Sequence, residues 1–261
     1  MTEIASPAFG RPLTAAEFVG GYVPPSFLVD DLLKQGHLYS LSGATGSGKT
    51  AIALSVATAI AYGAPLGERS VKRGRVLFLD GEHVSDLAPR LAAHRHRANA
   101  GSAPDRSFDE NVCIVGARFA LPAHFDELRR EVEMLGRFDL IVVDRAAAFF
   151  DRPGSGPGWP SRAGVTMLRR LTRLPGNPTV LVADHLQLDR HALGGLFDGH
   201  LRCHTSKKTG LVRLASPTSG RGRVEPLFFK LVLIDGGPLC DSKGRPVPTV
   251  IAVAVEVAGV E

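Results

Sequence analysis

The stretch GATGSGKT at residues 43–50 fits the pattern G-x-x-x-x-G-K-[ST], with its fixed positions at Gly43, Gly48, Lys49 and Thr50. The spacing has a chemical reason. A loop of this kind turns successive backbone N–H groups inward, where they can cradle phosphate oxygens. Glycines permit the dihedrals this needs and keep side chains out of the way. A helix beginning near Lys49 adds the positive end of its dipole. The cradle is therefore expected to be Gly43, Ala44, Thr45, Gly46, Ser47, Gly48, Lys49, Thr50 and Ala51. Lys49 would reach the β- and γ-phosphates and act in catalysis, and Thr50 would hold Mg²⁺. The bland alternative is a glycine-rich turn between a strand and a helix.

Chemistry on a magnesium triphosphate also needs carboxylates at neighbouring strand ends. Two apolar runs close on one: RVLFLD ends at Asp80 and DLIVVD at Asp144. Asp144 closes the more apolar run and is expected to be the second metal residue, acting through water. A group that orients the attacking water is also required. Glu82, in LDGEH (79–83), lies just past a strand end and is the expected catalytic base, with Asp80 and His83 as second choices. Arg145, not a glutamate, follows Asp144. A further run ends in VADHLQ (182–187), which would bring Asp184, His185 and Gln187 to the same edge. His185 there could contact a γ-phosphate or be an ordinary strand-end histidine.

These residues need strands to carry them and helices to cover the strands. HLYSLSG (37–43), GRVLFLD (74–80), NVCIVG (111–116), DLIVVD (139–144) and PTVLVAD (178–184) read as short buried strands. Helical patterns alternate with them at 49–63, 84–100, 123–138 and in VTMLRRLTRL. Residues 1–36 read as an N-terminal arm ending in a short helix closed by Gly36, and 37–261 as one domain. After Asp184 the rhythm changes. HLRCHTS, GLVRLAS, PLFFKLVLID and TVIAVAVEV read as strands joined by turns, an antiparallel extension. The expected fold class is α/β: a mostly parallel sheet flanked by helices and finished by antiparallel C-terminal strands.

Composition sets the outer limits. At 261 residues and 44% hydrophobic content, one large domain with a sizeable core is affordable. No apolar run spans a bilayer, no secretory leader is read at the start, and three scattered cysteines suggest reduced thiols. A cytoplasmic protein without a membrane partner is expected. The net charge of +5 is compatible with nucleic acid and does not require it.

Taken in order, GATGSGKT, RVLFLDGE, FDLIVVD and TVLVADH resemble the RecA-type P-loop ATPases over roughly residues 25–235. Within them the chain is most similar to the RepA-type branch, which includes plasmid replicative helicases and sits near the DnaB helicases. A glutamate after the second strand, and not beside the metal aspartate, favours the RecA type over the AAA+ type. The resemblance implies a RecA-like fold, ATP and Mg²⁺ as cofactors, Glu82 as catalytic glutamate, Asp144 as the metal aspartate and His185 as γ-phosphate sensor. It implies a homo-oligomeric ring, commonly a hexamer, with ATP between subunits and an arginine finger from the neighbour. Arg221 and Arg223, in SPTSGRGRVEP (216–226), stand where the family has its finger, and Arg221 is preferred.

Ring helicases grip single-stranded DNA with two loops. The first corresponds to RAAAFFDRPGSGPGWPSRAG (145–164), with Arg145, Arg152, Arg162 and the only tryptophan, Trp159. A basic loop with an aromatic could follow a phosphate backbone and stack on a base. The second, LQLDRHALGG (186–195), is shorter than in the resembled helicases. That leaves room for a second expectation: an ATP-driven switch acting on a protein partner, without movement along DNA.

Overall fold

A computed structural model describes residues 12–81, 84–98, 106–116, 119–150, 159–185, 192–216 and 225–257. Chain order begins with α1 (Ala15–Gly20), β1 (Phe27–Val29), β2 (Leu33–Lys34), β3 (Leu38–Ser42), α2 (Lys49–Tyr62), β4 (Val76–Asp80), α3 (Val84–Ala98), α4 (Ser107–Asn111) and β5 (Val112–Val115). It continues with α5 (Leu121–Leu135), β6 (Leu140–Asp144), α6 (Ala147–Phe150), α7 (Arg162–Leu171) and β7 (Thr179–Asp184). Four strands close the described chain: β8 (Gly199–Thr205), β9 (Val212–Ala215), β10 (Leu227–Ile234) and β11 (Thr249–Val255).

Strands β3, β4, β6 and β7 are buried at every residue. Continuous apolar runs of this length suit strands covered on both faces, the signature of a parallel sheet. They form the centre of a nine-stranded sheet of order β11-β10-β9-β8-β3-β7-β6-β4-β5. One core joins α2 to β10 and β11 and includes Ile52, Leu54, Phe78, Leu181 and Phe229. The other, beneath α5, α6 and α7, includes Phe125, Phe138, Phe149, Val165 and Leu168. The chain has the RecA-like P-loop NTPase fold.

Two expectations are corrected. The segment before residue 37 does not end in a helix. Phe27 pairs with Lys34 and Val29 with Leu33, antiparallel. Leu28, Val29, Leu32 and Leu33 would make one face of a helix, yet tertiary pairing decides otherwise. The N–H of Lys72 donates to Leu28 O at 2.9 Å and that of Asp30 to Ser70 O at 3.0 Å, bonds a helix would not offer. Asp31 takes a left-handed φ of 52° in the turn between the strands.

HLRCHTS, expected within the antiparallel extension, is parallel to β3 on one side and antiparallel to β9 on the other. The connection leaving β7 must cross β3 to reach β8, so β8 starts at the same end as β3. Buried polar groups fix this seam. Ser40 Oγ donates to His200 Nδ1 at 2.7 Å, while His200 Nε2 donates to Gly194 O at 3.2 Å. Asp198 accepts from the Leu38 N–H and from Arg169 on α7 at 2.8 and 2.9 Å.

Candidate nucleotide site

Parallel register determines what meets at the carboxyl edge of the sheet. Ser42 lies opposite Asp184, Asp144 opposite Ala183, and Asp80 opposite Asp144. Asp80, Asp144 and Asp184 therefore end three adjacent strands at one level, each about 95% buried. The loop 43–48 leaves β3 beside them, where the connections part, from β3 toward β4 on one side and from β7 toward β8 on the other. Such crevices at carboxyl ends of parallel strands are where open α/β sheets receive ligands.

Packing explains the fixed glycines. A Cβ on Gly43 would lie 2.7 Å from Ser47 Oγ and 2.9 Å from Cys203 O, so β8 closes the space beneath the loop. Gly48 adopts a φ of 82° at the N-cap of α2, with Leu231 Cδ2 of β10 only 3.0 Å from where a Cβ would stand. Lys49 Nζ donates to Gly43 O and Ala44 O, both at 2.9 Å, and so crosses the mouth of its own loop. Burial pulls its ammonium below the ordinary lysine range, helped by Arg145 and opposed by Cys203, Asp144 and Asp184. Burial pushes the Cys203 thiol up to about 12, so this cysteine is a neutral packing group.

The loop fits a phosphate chain on one further observation. Ser47 Oγ is buried with no hydrogen-bond partner among the described residues. A buried hydroxyl without a partner is costly, and a phosphate oxygen would satisfy it. Thr50 is half-buried in the first turn of α2. Among the described residues no group of three or more His, Cys, Asp or Glu is placed to hold a metal alone. A magnesium site here would draw on Thr50, Asp144, water and the nucleotide's own phosphates, the usual way this ion is held.

At the neighbouring strand ends, His185 is exposed just beyond β7, and Arg145 Nη2 donates to its Nε2 at 2.9 Å. Arg145 is one of three non-glycine residues with a left-handed backbone among the described residues, at φ 61°. Trp159 Nε1 donates to Asp184 Oδ2 at 2.7 Å while its ring stacks on Phe150 at 5.4 Å. Thus two residues expected to serve a DNA-contacting loop, Arg145 and Trp159, are bonded to the end of β7. Arg162 is exposed at the start of α7. Glu82, His83, Arg152, Gln187, Arg221 and Arg223 lie outside the described residues. Sequence reasoning found Asp184 but not its indole partner, which is 25 positions away with no periodicity to link them.

The phosphate loop, the buried aspartates and the RecA-like sheet together define a P-loop NTPase. A family profile described as an AAA domain matches residues 8–190, more than half of the chain, and the protein belongs to that family. No curated protein matches the chain. No helix among the described residues is long and apolar enough to cross a membrane.

Proposed function

We propose that the protein is a Mg²⁺-dependent ATPase of the RepA/DnaB-like type, a cytoplasmic oligomeric DNA motor or helicase in replication or plasmid maintenance. The observation that carries the ATPase reading is the phosphate loop itself, with Lys49 at its mouth, Ser47 Oγ buried within it without a partner among the described residues, and Asp144 at the adjoining edge. Loop amides from Gly43 to Thr50 would bind the phosphates, and Lys49 would hold the β- and γ-oxygens. Thr50 and Asp144 would hold Mg²⁺, which offsets phosphate charge when bound. Glu82 would orient and polarise the attacking water and His185 would report the γ-phosphate. Arg221 of a neighbouring copy would stabilise charge on the transferred group, with copies arranged as a ring of six. The test is titration of the protein with ATP and magnesium, followed by turnover with and without single-stranded DNA. Saturable uptake and DNA-stimulated turnover support the reading, and no uptake removes it.

A second reading has its own support. Trp159 directs its indole N–H to Asp184 and stacks one ring face on Phe150, so neither of these is offered to a base. This favours an ATP-driven oligomeric switch that acts on a protein partner. Turnover indifferent to single-stranded DNA, with a nucleotide-dependent change of assembly, would select it.

A further inference from the structure

We propose that the cleft between α2, α3 and β11 is a second binding site, for a small amphipathic organic acid with an apolar, planar body and one carboxylate. The site lies apart from the phosphate loop and does not depend on the nucleotide reading.

The cleft comes first. Its volume is about 500 Å³, a size that suits a small organic ligand. Ser55, Thr58, Ala59 and Tyr62 stand at i, i+3, i+4 and i+7 along α2, so they share one face of that helix. His94, Arg97 and Ala98 share a face of α3 in the same way. Ala252 and Ala254, two positions apart, come from one face of β11. Most of the residues that meet here are small, whereas ordinary interiors fill such a gap with larger side chains. Tyr62, the large one, has its ring stacked on Phe108 at 5.6 Å.

Next are the polar groups. His94 is buried in the wall, and its Nε2 has no hydrogen-bond partner among the described residues. A buried polar atom in that state is costly, and a ligand acceptor would satisfy it. Burial keeps the ring neutral near pH 7, and a neutral ring protonated on Nε2 donates one hydrogen bond there. Arg97 is exposed, makes no ion pair among the described residues, and stands near enough for its charge to act on the His94 ring. A carboxylate between them would accept from both, one bond being charge-assisted.

The lining also excludes ligands. No carboxylate lines the cleft among the described residues, so a metal or an organic cation has nothing to neutralise it. The carbonyls that end α2 do not draw one in either. Those of Ala59, Ile60 and Ala61 accept from the Ala64 N–H, the Gly63 N–H and Asn111 Nδ2. Pro65, Leu66 and the alanines offer apolar surface that a bare phosphate would leave uncovered. Helix α2 has 14 residues and is about 20 Å long, with the phosphate loop at its start and the cleft along its second half.

The test uses the full chain and two probes of one shape, 2-naphthoate and its uncharged amide, 2-naphthamide. Titration followed by the ring ¹⁵N signals of His94 should show saturable binding of 2-naphthoate, with a Kd of roughly 1 mM or tighter for a molecule of this size. 2-Naphthamide should bind at least about fivefold more weakly. Arg97→Gln changes an exposed side chain. It should bring 2-naphthoate down to the affinity of the amide and leave the amide within about twofold. Ala254→Leu narrows the cleft and should weaken both probes, with a melting temperature no lower than wild type. Should that variant fold poorly, Arg97→Gln decides alone. Lys49→Ala should leave both affinities unchanged, because the phosphate loop is remote.

Absence of saturable 2-naphthoate binding, equal affinity for acid and amide, wild-type affinity in Arg97→Gln, or a loss in Lys49→Ala as large as in Arg97→Gln would each overturn the assignment of this cleft.

Discussion

Lys49 is held 2.9 Å from two loop carbonyls by a buried ammonium, and it is the side chain on which phosphate affinity should depend most. Lys49→Ala removes a charge-assisted contact and should weaken ATP by roughly 10- to 100-fold in equilibrium titration. The same change should spare the melting temperature, since among the described residues the lysine bonds its own loop. Glu82→Gln tests a different role. It should leave nucleotide binding in place and cut turnover by at least about a hundredfold, the scale of a lost general base. Turnover equal to wild type would remove Glu82 from the mechanism. The strand, loop and helix that carry GATGSGKT were legible in the sequence, because their requirement is local: eight residues, one strand before and one helix after. The partners of Arg145 and Trp159 were not. Each bond joins segments 25 or more positions apart; the register of β6 beside β7 brings Arg145 to His185, and packing on Phe150 accompanies the Trp159 bond to Asp184.

At the scale of elements, α3 carries a titration the mechanism does not use. His94 is 6% exposed, its Nε2 has no hydrogen-bond partner among the described residues, and burial, with Arg97 adding to it, pulls its pKa down to about 4. The unfolded chain would bind that proton near the ordinary histidine value of about 6.5. Between those values the unfolded state holds more protons, so stability falls as pH falls. The loss from about pH 8 to about pH 5 is on the order of 2 kcal/mol. His94→Phe keeps a ring and discards the titration. In urea melts it should flatten the acid side of the stability curve, and an unchanged pH dependence would refute the assignment. Elements with one strong pattern were readable in advance, such as the apolar runs that end at Asp80, Asp144 and Asp184. The β1–β2 hairpin was not, because its buried leucines and valine satisfy helical spacing equally well and the neighbouring segment 70–72 decides the outcome. The parallel side of β8 was hidden for a related reason: pairing direction depends on where a connection crosses the sheet, which composition does not record.

At the scale of the whole molecule, the reading turns on assembly. The site is built at an open edge, with loop, aspartates and Arg145 all on one chain, and a trans arginine remains the proposed addition from a neighbour. Light scattering with and without a non-hydrolysable ATP analogue should show a nucleotide-dependent ring. A mass that stays monomeric at all concentrations would exclude chemistry shared between copies. For the DNA motor, single-stranded DNA should raise ATP turnover severalfold, with an effect that weakens as salt rises, because phosphate contacts release counterions. The moderate charge of +5 permits this without demanding it. Equal turnover with and without DNA would leave the protein-directed switch as the surviving reading.

The Trp159–Asp184 bond has a practical consequence. The chain has a single indole, and it touches a carboxylate at the edge where the nucleotide would sit. Emission from this protein is therefore an unlabelled optical gauge of that one place. Changes in its wavelength or intensity can be followed in real time, without fluorophores, mutations or coupling enzymes.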